Sequence, residues 1–527
     1  MSSPTFDIWK DSSIYYAQDE ETGRVLSNPR YIPLYNSIIA SGVKLNFDPG
    51  IYEIDTQDGM VSTNLSNFKW LGDPYGGTIF KETYPATAVA PLSQLFAIDG
   101  VGSNVLLQNL NWDMNEDAYS NSQRTMDSGV AWIGRVGQTT DITITQNKFL
   151  NTHGCGLVGS GINGLTFSHN YMDNIGEHAF YISDSKNLHI YDLTLLNYAR
   201  WIRGWVTNFR NNDNVLLENF YINPNENGEG YKDTLGIGSG AAGPTMSAIC
   251  TTITIRNGKM DNDGVTTRPA ILVQGTPNNI LVDGIETNGW TNLSFFGVDA
   301  SHTAIVRNSK FRGLTIDYAP WLMENCTIID EPRYSDISLS GATLRNVTFL
   351  RENGPNCPNP RILWIGRGIP TSNVLLENCK FINYGGAPGF YGCGVDMSYA
   401  IDSTMRRCIF SGGFKDWAVR AGGIRNILDD NTFMKDTRYG TVAIELSAGT
   451  GNKISNTKLH ANLHNIIDPT YGTETGTIIV RQIDYTCQPL EADARADIGG
   501  TITAPGEATV APQQSQIRVV FPKRIVI

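Results

Sequence analysis

The sequence contains no run of about 18 continuous apolar residues, the length that a membrane-crossing helix requires. The opening MSSPTFDIWKD lacks the basic start and apolar core of a secretory signal, so none is expected. Charged residues are only 17% of the chain, with a formal net charge of −12. No stripe of Lys or Arg offsets that charge, which argues against nucleic acid as a partner. The eight cysteines include no CxxC pair with zinc-ligand spacing. No cofactor and no metal site are implied. What the sequence does have is self-similarity, and this decides the architecture.

NVLLENCKFIN (Asn373–Asn383) recurs as NVLLENFYIN (Asn214–Asn223) and NVLLQNLNWD (Asn104–Asp113). Looser copies include DITITQNKFLN at Asp141, GLTFSHNYMDN at Gly164 and NKISNTKLHAN at Asn452. Aligned on the last large apolar residue, the copies define an anchor column. It runs Trp112, Phe149, Met172, Leu195, Ile222, Met260, Thr287, Phe311, Ile328, Phe349, Phe381, Phe410, Phe433 and Leu459. Five residues earlier lies a column that is apolar without exception, from Leu107 and Ile144 to Leu428 and Ile454. Two residues before the anchor lie Leu110, Leu193, Phe220 and Val347, with Cys326, Cys379 and Cys408. Those three thiols are therefore expected to be buried apolar filler, not disulfide partners.

Apolar residues alternating with period two indicate strands. The step from five-before to two-before breaks that alternation by one residue, so a tight bend must intervene. At three-before stand Asn109, Asn219, Asn257, Asn308, Asn325, Asn346, Asn378 and Asn456. Asn tolerates the left-handed backbone such a bend requires. Strand, bend, strand, loop and third strand make one coil of a parallel β-helix, with like residues stacked about 4.8 Å apart. The expected fold is all-β, a right-handed parallel β-helix over residues 43–462. Residues 1–42 would form an N-terminal cap, with an irregular start and a short helix in Arg30–Gly42. Residues 463–527 would form a β-rich C-terminal cap ending in the apolar-basic QIRVVFPKRIVI.

GVKLNFDPGIYEI near the N-terminus and the I-x-I-x-N-N-x-F coils resemble the pectate-lyase-like right-handed β-helix superfamily. Within it, the chain looks most like bacteriophage tailspike polysaccharide depolymerases. The polygalacturonase signatures G-H-G and R-I-K are missing, and Asp261-Asn262-Asp263-Gly264 only echoes N-T-D. That branch's mechanism is therefore not carried over. The resemblance implies a homotrimer on a virion tail or otherwise extracellular, facing a bacterial surface polysaccharide and other tail proteins, with no membrane partner. It implies depolymerisation, hydrolase ahead of lyase, or glycan recognition without cleavage.

Long insertions in a solenoid gather on one edge. Anchor spacing widens at Trp112–Phe149 and Ile222–Met260, putting long loops at Asp113–Ser128 and Pro224–Thr245. Between them, the third strands are expected at HAFYISDS (His178–Ser185) and ARWIRGWV (Ala199–Val206). Glycoside cleavage needs two carboxylates, and β-elimination needs a base beside a cation. Glu177, Asp184 and Asp233 are the candidate catalytic carboxylates. His178, Tyr181, Trp201, Arg203 and Lys232 are the candidate substrate-binding residues. Trp364, Arg367 and Asp396 form a second cluster, ranked behind the first.

Overall fold

The computed structural model describes residues 4–56, 59–83, 94–115, 129–134, 138–198, 204–223, 232–238, 251–262, 271–274, 279–289, 293–296, 303–317, 321–329, 335–338, 341–351, 361–384, 393–412, 414, 417–434, 442–459, and short strands at 467–468, 479–481, 484–485, 496–497, 500–504, 507–510 and 518–519. By internal packing the chain divides into two units. One is Met1–Leu281 with Ile285–Gly289, and the other is Val282–Gly284 with Trp290–Ile527.

In both units strands pair in parallel, coil to next coil, with residue-for-residue register. In the first unit Leu107, Ile144, Phe167, Ile190, Leu217 and Ile255 are successive Cα partners, as are Trp112, Phe149, Met172, Leu195, Ile222 and Met260. In the second, Val306, Met323, Leu344, Leu376, Met405, Leu428 and Ile454 stack in the same way. Phe311, Ile328, Phe349, Phe381, Phe410, Phe433 and Leu459 stack beside them. The side chains of the columns from Leu107 to Ile454 and from Trp112 to Phe433 are buried. Connections between parallel strands take the right hand because a right-twisted strand packs back on its sheet only that way. The fold is a right-handed parallel β-helix.

The bend is left-handed in each coil from Asn109 to Asn456 whose bend residue is described. Asn109, Asn308, Asn346 and Asn378 have φ between 53° and 60°, and so do Gln146, His169 and Arg407 at the same position. The residue after the bend points inward. At Asn147 and Asn170 it forms a buried amide ladder. The Asn147 Oδ1 accepts the Leu110 N–H at 2.9 Å, and Asn147's own N–H donates to Asn170 Oδ1 at 2.8 Å. Asn170 Nδ2 in turn donates to the Ile144 carbonyl at 2.8 Å. An amide suits this place because its donors and acceptor match backbone groups freed by the bend. Cys326, Cys379 and Cys408 occupy the same column as free, buried thiols.

The N-terminal start is strands, not irregular chain. Thr5–Asp11, Ile14–Asp19 and Val25–Asn28 form an antiparallel meander, and Thr5–Asp11 also pairs in parallel with Lys44–Phe47. Polar residues on its outer face mask the alternation, while Ile8, Tyr15 and Ala17 are buried. The helix Tyr31–Ile38 falls within its expected span. Its Tyr31 packs on Tyr52 and Phe80, with centroids 5.3 and 5.8 Å apart, so it covers the first coils' interior. At the C-terminal side, Ile479–Arg481 and Asp484–Tyr485 continue the parallel register past residue 462. Glu507–Val510 then pairs antiparallel with Ile479–Arg481. The terminal residues 520–527 of the tail lie outside the described residues.

The Phe349, Phe381, Phe410 and Phe433 rings stack at 4.9–5.0 Å with interplanar angles of 7–13°. Phe381 thus touches an aromatic neighbour on both sides. Truncating it opens a cavity that the flanking coils cannot close, since their spacing is held by backbone hydrogen bonds. Phe381→Ala is expected to cost about 3–5 kcal/mol, against under about 0.5 kcal/mol for the exposed neighbour Lys380→Ala. Urea unfolding of the two variants checks this.

Candidate active site

The third strands form a second sheet whose outer face differs between the units. In the first unit the outward column reads Ala97, Trp132, Val158, Tyr181 and Asn208, with no carboxylate. In the second it reads Asp336, Trp364, Asp396 and Arg420.

Among the residues expected in the first unit, the structure brings Glu177, His178 and Tyr181 together. Glu177 is buried, with His178 Nε2 3.2 Å from its Oε1, and it accepts from the Cys155 thiol at 3.5 Å. His178 stacks on Tyr181 at 5.6 Å, and the Arg210 guanidinium lies 5.0 Å from that ring's centroid. Asp184 does not join them. It sits in a left-handed turn at φ 50° and accepts from Asn211 Nδ2 at 3.0 Å, as turn residues of neighbouring coils do. The next third strand is Gly204–Arg210, not ARWIRGWV, so the partner of Tyr181 is Asn208. Alternation alone did not fix that strand, because the WIRGWVTNF region alternates equally well in two frames. Trp201 and Arg203 lie outside the described residues. Lys232 and Asp233 begin a strand with Gly204 and Trp205 as Cα partners. The two loops expected to wall a groove lie mostly outside the described residues.

The second cluster is denser. Asp336 and Asp396 are both buried, at 7% and 1% exposure, although they lie in the outward column. Arg361 Nε donates to Asp396 Oδ2 at 2.6 Å, and Arg420 Nη1 approaches the same oxygen at 3.9 Å. The other oxygen accepts from the Ser398 hydroxyl at 2.6 Å and amide at 3.0 Å. Arg361 lies over the Trp364 ring at 4.1 Å, and Arg420 lies over Trp417 at 4.7 Å. Arg367 Nη1 is 4.0 Å from Asp336 Oδ2, and burial lowers the pKa of this guanidinium from its usual value. From below, the buried Arg351 donates to the Arg361 carbonyl at 2.9 Å and fixes the start of that strand. Trp364, Arg367 and Asp396 were expected from sequence, while Asp336, Arg361 and Arg420 were not. Stacking SDIS, RILWIG, CGVD and WAVRAG by their inward residues would have exposed the column.

Two coils separate Asp336 from Asp396, so their backbones lie about 9–10 Å apart. Among the described residues, no group of three or more His, Cys, Asp or Glu is placed to hold a metal ion.

No protein-family model and no curated protein matches the sequence. Solved structures do. A family 28 exopolygalacturonase of Yersinia enterocolitica shares 12% identity over 83% of this chain and 84% of its own, with a TM-score of 0.33. The tailspike gp61 of Pseudomonas phage phi297 shares 11% over 93% and 89%, with a TM-score of 0.34. Tailspike protein 3 of bacteriophage CBA120 shares 12% over 90% of this chain and 61% of its own, with a TM-score of 0.24. Likeness at this level assigns no activity. The β-helix rests on the strand register.

One titratable group of the first unit sets a pH dependence. Glu82 and His153 are buried, with Oε2 and Nε2 3.5 Å apart, beyond a good hydrogen bond. Burial, helped by the charge of Asp113, pushes the Glu82 carboxyl up to about 9. The folded chain then holds a proton that the unfolded chain releases above its ordinary carboxylate range. The stability from this group is complete below about pH 4.3 and is lost as pH rises through about 9, by at most about 1.4 kcal/mol per unit. Melting temperature is therefore expected to fall between pH 5 and 9, and Glu82→Gln is expected to flatten the slope. An unchanged slope in the variant would show that another group is responsible.

Proposed function

We propose that this chain binds a bacterial surface polysaccharide and cleaves it by glycoside hydrolysis, as a tailspike-type depolymerase. The observation that carries this reading is the column Asp336–Trp364–Asp396. Two carboxylates flank Trp364, whose ring lies under the Arg361 guanidinium, on one face of a solenoid. Asp336 is assigned the general acid that protonates the leaving glycosidic oxygen. Asp396 is assigned the base that takes a proton from the attacking water. Arg361 and Ser398 hold Asp396 in one orientation, so its geometry is set before substrate arrives.

A backbone separation of about 9–10 Å allows the two carboxyl groups to stand roughly 6.5–9.5 Å apart, the inverting range that leaves room for that water. The expected product keeps no covalent link to the protein and appears with inverted anomeric configuration. The three guanidiniums also favour a second reading, β-elimination from a uronate, because an enolate needs cationic support.

Asp336→Asn and Asp396→Asn are each expected to lower the release of reducing ends by about 10²–10⁴-fold with folding retained. Asp184→Asn, in the turn, is expected to leave it unchanged. Near-normal cleavage by either amide variant at the column would remove the pair from the chemistry. A rise in ultraviolet absorbance from unsaturated uronate would replace hydrolysis with elimination.

A further inference from the structure

The sheet that flanks the bend carries a different pattern on its outer face. In the second unit Arg307, Glu324, Arg345, Glu377, Arg406 and Asp429 are successive Cα partners, alternating in sign at every coil. At Glu377 the alternation gains an extra cation. Arg345 Nε lies 3.1 Å from Glu377 Oε2 and Arg406 Nη2 lies 2.7 Å from Oε1, while Arg407 Nη2 bonds the same Oε1. Three guanidiniums thus converge on one carboxylate that is 9% exposed, while the arginines remain 42–49% exposed. Glu324 Oε1, 3.5 Å from Arg345 Nη1, is the second acid in contact. Asp429, one coil on, accepts instead from Ser455 Oγ and Asn456 Nδ2 through one oxygen. The Arg406 Nε is enclosed and has no hydrogen-bond partner among the described residues.

Arg407 is also the wrong residue for its backbone. It fills the bend position held by Asn308, Asn325, Asn346, Asn378 and Asn456, at φ 54°. Asn eases a left-handed backbone through its short polar side chain, and Arg does not. Such strain persists where something else over-determines it. Arg425, left-handed at the coil's other bend, is satisfied by a fork of two bonds to Asp402 at 2.5 and 2.6 Å. Arg407 has no such fork. Its Nε donates to Asn378 Oδ1 at 3.0 Å, and its Nη2 shares the Glu377 oxygen that Arg406 already uses.

We propose that Arg345, Arg406 and Arg407 form a binding site for an oxyanion, the carboxylate or sulfate group of an acidic glycan. It lies on a different sheet from Asp336 and Asp396. Each guanidinium presents five N–H donors in a planar fork that matches such oxygens. Glu377 supplies two oxygens among three forks. Its burial opposes its own charge, yet Arg406 and Arg407 hold its pKa below the usual range. It serves as the resident counter-ion that keeps the arginines gathered, with their outer edges open to solvent.

The test is calorimetric titration of the full chain with sodium sulfate and, separately, sodium glucuronate, at ionic strength held constant with sodium chloride. The wild type is expected to bind one or both saturably. Binding of sulfate alone identifies a sulfate ester and binding of glucuronate alone a carboxylate, and either supports the site. Arg407→Asn restores the usual bend residue and so preserves the fold; it is expected to weaken binding about tenfold or more. Arg406→Gln leaves the bend untouched and is expected to do the same. Absence of saturable binding in the wild type, or equal binding by wild type and both variants, overturns the proposal. The outcome does not depend on whether Asp336 and Asp396 cleave anything.

Discussion

The left-handed residue at the bend of each coil from Asn109 onward makes the rest of this structure possible. Without it, two strands meeting at a corner would keep a strict inside–outside alternation and the inward residues could not turn the corner together. With it, the inward set steps by three, and the chain returns to the same sheet one coil on. Asn meets the requirement in most coils, Gly284 in one, and residues such as Gln146, Asp192 and Asp430 in others. All adopt φ between 52° and 66°. The backbone demand is thus uniform while the side chain varies, as expected when conformation is dictated by stacked neighbours and propensity only eases it.

Regular stacking confers on the outer faces a property that globular proteins lack: a residue's neighbours across the sheet are set by coil number. Columns of like or alternating chemistry follow. The aromatic and carboxylate column on the third-strand sheet and the charge ladder on the bend sheet are two instances of one rule, read from opposite sides of the same coils. Neither needs a loop to bring its members together. Both hold their groups at a spacing set by backbone hydrogen bonds, and preorganised groups do not have to be gathered when a ligand arrives.

How far this was legible follows from where the bend lies. The two strands flanking it carry a fixed offset between Asn and the apolar columns, so Leu107 to Ile454 and Trp112 to Leu459 were readable from sequence, and the structure places them in register. The third strand has no such marker. Loops of unequal length precede it, and its frame is free to slide, which is why Gly204–Arg210 was assigned to ARWIRGWV instead. The same blindness hid Asp336 from Asp396, sixty residues apart yet two coils away. Asp184 attracted attention as a carboxylate near Tyr181, but a carboxylate in a left-handed turn accepting from Asn211 is doing what turn residues do. The amides of Asn147 and Asn170 follow Gln146 and His169, bends that lack the Asn marker, so nothing in their local sequence set them apart.

The inward thiols carry a consequence for how the molecule meets its surroundings. Cys326, Cys379 and Cys408 are buried, and desolvation pushes the Cys326 thiol up to about 12. At neutral pH only about one in 10⁵ copies of the Cys326 thiol is the nucleophilic thiolate. Sulfur held as in Cys326 offers little to disulfide exchange, so its coil gains no covalent cross-link from oxygen and loses none to a reductant. At Cys326 the packing is therefore indifferent to redox poise, the same in a reducing medium and in an oxidising one.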